Sequence, residues 1–124
     1  MPIAYWCILV AALLPLMLVG YAKSSSKDNN TPRDSAENLA GAKRRAYAAH
    51  QNAYENFPFF AVSVLAALNF GASPGTVSGL ALLYIAFRLI YSWLYIADKP
   101  SLRSAAYAGG LFANIAIFVL PAFR

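Results

Sequence analysis

The sequence predicts an all-α integral membrane protein, a bundle of four helices, and three observations predict it. Of the 124 residues, 60% are hydrophobic and 12% charged, where a soluble domain carries about 25% charged residues. A chain this short has too little interior to hide that much apolar surface from water. This argues against a soluble protein with an outsized core and makes the bilayer the solvent. The apolar residues also fall in long runs, and about 20 helical residues cross a hydrocarbon core of ~30 Å. Finally, the basic residues gather on particular connections rather than spreading along the chain.

The first run, residues 3–22, is IAYWCILVAALLPLMLVGYA and holds no charge. A secretory signal is the competing reading, with Gly20-Tyr21-Ala22 as a loose cleavage site. Yet Met1-Pro2 is no positive flank, and the run exceeds the ~7–15 residues of a signal core. A retained transmembrane helix is expected. Pro15 leaves the Ala11 carbonyl without its helical donor and is expected to kink it. Residues 23–42, KSSSKDNNTPRDSAENLAGA, lose all apolar period and read as a loop outside the membrane, in which Asp34 or Ser35 could cap a short turn.

The second helix is predicted over 43–70, with its apolar part from Phe57 to Phe70 and a bend at Pro58 beside a polar patch. GASPG, 71–75, reads as a tight uncharged turn. The third helix is predicted over 76–96, interrupted by Arg88 alone. After the turn ADKP, Pro100 is well placed to start the fourth helix, 101–122. There Ala105, Gly109, Ala113 and Ala116 form a small-residue stripe that would let another helix approach closely.

Charge placement gives an orientation. Lys23, Lys27, Arg33, Lys43, Arg44, Arg45, Lys99 and Arg103 lie on one side of the membrane, and Arg124 on the other. The positive-inside rule makes the basic side cytoplasmic, the 23–42 loop with it, and both termini non-cytoplasmic. The net charge of +5 therefore reflects topology and is no nucleic-acid signal. A single cysteine, Cys7, excludes an internal disulfide and any multi-cysteine metal site. A single histidine, His50, argues against most zinc sites. No metal is expected.

The informative residues are polar groups inside the apolar runs. In RAYAAHQNAYENFP, 45–58, Arg45, Asn52 and Glu55 stand at offsets of seven and three and read as one helical face, with His50 and Asn56 alongside. On the third helix Tyr84, Arg88, Tyr91 and Tyr95 share another face. Glu55 lies ~15 Å along from Arg45, and Arg88 ~12 Å from Ile96, so both sit at similar depth on antiparallel neighbours. A Glu55–Arg88 contact is expected, since an unpaired charge there costs at least ~2.5 kcal/mol. A purely structural ion pair, an interfacial tyrosine belt and a headgroup-level His50 are the plain alternatives. Asn69 and Asn114 read as packing residues. Arg103, with Ser104, opposes the dipole at the start of the fourth helix, so snorkelling or an anion site must account for it. With Arg45 and Arg88 it could line a pocket roofed by tyrosine hydroxyls and Asn52, suited to a small polyanion with peptide-like groups.

These stretches resemble the MAPEG superfamily, the membrane-associated proteins of eicosanoid and glutathione metabolism, and most of all its small bacterial members. RAYAAHQNAYENFPFF matches the family pattern of Arg, Asn, Glu three residues on, then Pro. Within it AHQNAYEN is similar to the microsomal glutathione transferases, with His50, Asn52, Glu55 and Asn56 in register. AFRLIYSWLYIADKPSLRS resembles the segment joining the last two helices. The resemblance implies a homotrimer in membrane lipid, in a bacterial inner membrane, with glutathione as co-substrate bound between neighbouring subunits. It implies that Arg45, His50, Asn52, Glu55, Arg88, Tyr91 and Tyr95 contact glutathione and that Arg103 activates its thiol. A free thiol titrates near ~8.5, and an adjacent cation lowers that value.

The implied activity is a glutathione-dependent transferase or peroxidase acting on hydrophobic electrophiles or lipid hydroperoxides. Ala48 stands where leukotriene-C synthase has a second arginine, and Asn56 where it has a tyrosine. The Tyr95–Arg103 spacing differs by a residue, and Lys23 and Lys27 are loose counterparts of its basic residues, all of which argues against leukotriene synthesis. A non-catalytic relative that binds lipid or a partner is the first alternative. A small four-helix multidrug transporter is the second, although such carriers have a carboxylate in the first helix and this one has no charge there.

Overall fold

The computed structural model describes residues 1–24 and 39–123. Among the described residues four α-helices make up the bundle: α1 over Ile3–Ala22, α2 over Gly41–Asn69, α3 over Pro74–Ile96 and α4 over Pro100–Val119, with a final 3₁₀ turn over Leu120–Phe123. The first helix has the predicted bounds. Helix α2 starts two residues earlier than predicted and stops one short. Both α3 and α4 begin on a proline at their first position, where a missing N–H costs nothing. The body of the 23–42 loop, with Lys27, Arg33, Asp34 and Ser35, lies outside the described residues, as does Arg124.

Polarity is inverted relative to a soluble protein. Alanine is the commonest buried residue, and Arg88, Ser63, Ser78, Ser92 and Asn114 are buried beside it. Large apolar side chains point outward: Phe112 is 71% exposed, Met17 71% and Trp93 63%. Water would not tolerate such an exterior, and a bilayer does. Helices α1 and α3, and α4 with its 3₁₀ extension, are long and apolar enough to cross a membrane. Helix α2 is not among them: Lys43, Arg44 and Arg45 charge its start, and Asn52, Glu55, Asn56 and Asn69 keep the rest polar. It is held instead by its neighbours. Ala46, Ala49, Ala53, Phe60, Val64 and Ala67 recur at three, four and seven and are buried in the bundle.

The turns after α2 and α3 are built alike. Gly71, at φ 86°, follows α2; its N–H reaches the Leu68 carbonyl at 3.1 Å, and the Ala72 N–H reaches Ala67 at 2.9 Å. Asp98, at φ 61°, follows α3; its N–H reaches Tyr95 at 3.2 Å, and the Lys99 N–H reaches Leu94 at 3.0 Å. Both are Schellman caps, one with the usual glycine and one with a residue that adopts the left-handed region at a cost. At the start of α1 no side chain of its own caps the helix. Ser78 of α3 supplies the acceptor, its Oγ 3.1 Å from the Ala4 nitrogen.

The small-residue stripe on α4 is shifted by one residue in its first half. Ala106, Gly110, Ala113, Asn114 and Ile117 are the buried positions, so Ala113 keeps its predicted place while Ala105 is exposed. Gly109 still serves close approach: a Cβ there would stand 2.5 Å from the Phe87 ring. The main apolar core lies where Phe60, Val64, Val77 and Ile117 meet, away from the basic residues. That end is called the far end below, and the end carrying Lys43–Arg45 and Arg103 the basic end.

Candidate functional site

At the basic end α2, α3 and α4 converge on a polar pocket of about 290 Å³ lined by Asn52, Tyr91, Tyr95, Arg103, Ser104 and Tyr107. Helical spacing explains the lining. Tyr91 and Tyr95 are four apart on α3, and Arg103 and Tyr107 four apart on α4, so each pair projects from one face. Tyr91 and Tyr95 meet edge to face, with centroids 5.7 Å apart, and Tyr107 packs on Tyr91 at 5.9 Å. The Arg103 guanidinium lies 4.3 Å from the Tyr95 ring centre, a cation–π contact that holds the charge over the pocket. The Tyr107 hydroxyl lies 3.4 Å from Asn56 Oδ1 and donates to it, and Asn56 Nδ2 donates to the Asn52 carbonyl at 2.8 Å.

Arg88 stands behind this pocket rather than in its wall. It is 4% exposed, donates from Nη2 to Asn52 Oδ1 at 2.6 Å, and lies 4.5 Å from the Tyr91 ring centre. It therefore acts on the pocket through Asn52 and Tyr91. The expected Glu55–Arg88 contact is not formed. Glu55 is exposed, and the ionisable side chains acting on Arg88 are Tyr84, Tyr91 and Tyr107. The reason is angular. At about 100° per residue, Asn52 lies ~20° from Arg45 around α2 and Glu55 ~80°. The two residues are at similar depth, but they do not share a face.

The remaining predicted residues are placed elsewhere. Arg45 donates from Nε to the Ile96 carbonyl at 3.1 Å, a cation on the C-terminus of α3 where the dipole favours it. His50 has Nδ1 2.8 Å from the Pro15 carbonyl. A carbonyl only accepts, so Nδ1 carries the hydrogen, and Nε2 of the neutral ring is an acceptor. His50 and Glu55 line a separate groove of about 440 Å³ with Tyr47, Gln51 and Tyr54. Sequence reasoning missed Tyr107, although its position one turn after Arg103 was a usable signal. A larger groove of about 600 Å³ at the far end is lined by Tyr5, Val62, Leu65, Ala66, Leu68 and Asn69; it holds no charged group and faces the apolar exterior. Among the described residues, no three of His, Cys, Asp and Glu come together as metal ligands.

An apolar-surfaced helical bundle with a cationic, tyrosine-lined pocket at one end defines the class as an integral membrane protein with a polar site at one end of its helices. The family model that matches is the MAPEG family, over residues 3–123. The chain belongs to that family, whose members use glutathione in membrane transferase, peroxidase or related roles. No curated protein matches it in direct sequence comparison.

Proposed function

We propose that the protein is a glutathione-dependent transferase or peroxidase acting on hydrophobic electrophiles or lipid hydroperoxides, with both termini on the non-cytoplasmic side of a bacterial inner membrane. The observation that carries this reading is the pocket at the basic end, where one guanidinium, three tyrosines, Asn52 and Ser104 surround about 290 Å³. That volume is at the low end for a small-molecule site, ~300–1,000 Å³, as suits a site of which one chain supplies part. In a homotrimer, the His50–Glu55 groove of one subunit would face the Arg103 pocket of its neighbour. Glu55 would then bind the glutathione amino group, and His50 Nε2 would accept a ligand N–H. Asn52, Tyr91 and Tyr95 would hold the peptide, while Arg45 and Arg88 would add positive field for its carboxylates.

Arg103 would stabilise the thiolate. In conjugation the sulfur lone pair forms a new carbon–sulfur bond as the leaving group departs with its electrons. The thiol proton passes to solvent. Calorimetric titration of the detergent-solubilised protein with glutathione tests the reading. Saturable binding is expected, weakened about tenfold or more, roughly 1.4 kcal/mol, in both Arg103→Ala and Glu55→Gln. Absence of saturable binding in the wild type contradicts it, and an unchanged Glu55→Gln contradicts the composite site.

A further inference from the structure

Behind the pocket, α1, α2 and α3 enclose a second cavity of about 10 Å³, walled by Ala11, Leu14, Ala53, Phe57, Tyr84 and Arg88. That is about the space one water centre needs, and a water held in a protein also needs two to four polar partners. Three residues of its wall carry groups of the right kind. Arg88 carries five N–H donors, of which Asn52 takes one. The Tyr84 hydroxyl makes no hydrogen bond among the described residues. Its ring is stacked on Phe60 with centroids 4.0 Å apart and planes 7° from parallel, so the hydroxyl cannot swing away to find a partner. The third group is the Ala11 carbonyl. Residue 15 is proline and has no N–H to give it, and Ala11 lies on the cavity wall.

We propose that this cavity is a binding site for one structural water, which accepts from the Arg88 guanidinium and donates to the Ala11 carbonyl and the Tyr84 oxygen. The water accounts for three features at once: a proline inside α1, a tyrosine deep in the apolar core, and a buried arginine with no carboxylate among its described ionisable neighbours. It also has a consequence for the pocket. Arg88 is then solvated entirely by neutral groups, namely Asn52, Tyr91 and the water. Its charge is not cancelled, and it adds to that of Arg103 in drawing an anion to the basic end. The cavity shares no lining residue with the pocket, so failure of glutathione to bind leaves this inference standing.

The test is an experimental structure of the full chain in lipid or detergent at about 2 Å resolution, for wild type and Tyr84→Phe. The expected result is a solvent peak within about 2.7–3.2 Å of both Tyr84 Oη and an Arg88 nitrogen, lost in Tyr84→Phe. A wild-type cavity with no peak, or one closed by a direct Tyr84–Arg88 hydrogen bond, overturns the proposal. So does a peak that persists unchanged in Tyr84→Phe. If that variant does not fold, the wild-type density alone decides the matter.

Discussion

The two ends of the bundle are held together by different chemistry. At the far end Phe60, Val64, Val77 and Ile117 are fully buried among alanines. Cohesion there is dispersion between closely packed atoms, which matters all the more because lipid offers helices no hydrophobic drive to associate. At the basic end the contacts are a 2.6 Å hydrogen bond from Arg88 to Asn52, a carbonyl cap from Arg45, and guanidinium groups set over Tyr91 and Tyr95. The groove at the far end holds no charged group. At the basic end a polar network leaves a pocket open and fixes a cation beside it.

Substitutions at the two ends should therefore fail differently. The largest loss of stability is expected from Phe60→Ala, about 3–5 kcal/mol, read as a lowered unfolding midpoint in detergent; a cost below that of a basic-end substitution would break the comparison. Asn52→Ala should cost less, about 1–3 kcal/mol, because it leaves a buried Arg88 donor unpaired. In a double-mutant cycle with Arg88→Met the two should couple by about 0.5–3 kcal/mol, and strict additivity would show that the bond contributes nothing. The smallest effects concern the two Schellman caps. Gly71→Ala should destabilise by about 1 kcal/mol and Asp98→Gly should stabilise by up to ~1 kcal/mol. Equal signs would mean that backbone strain does not govern these turns.

The helices and turns were legible because each rests on one-dimensional signals. Twenty uncharged residues bounded α1, and Gly71 and Pro100 marked turns. The pocket was partly legible: Tyr91, Tyr95, Arg103 and Asn52 do come together, as their spacing suggested. What the spacing could not give was azimuth across helices. Arg88 meets Asn52 and not Glu55, which ~80° of rotation carries to another face of α2. The same one-residue, 100° sensitivity moved the α4 stripe from Ala105 to Ala106. Arg45 and His50 each bond a backbone carbonyl of another helix, contacts between helices that only the tertiary structure shows.

Thiol activation by Arg103 is the chemistry proposed for the basic-end pocket. The most direct measurement is thiolate ultraviolet absorbance as glutathione is titrated into the detergent-solubilised protein at a pH about two units below the free thiol's ~8.5. Saturable absorbance in the wild type and its loss in Arg103→Ala is the predicted result. Glutathione that binds without thiolate, or thiolate that survives Arg103→Ala, would contradict it.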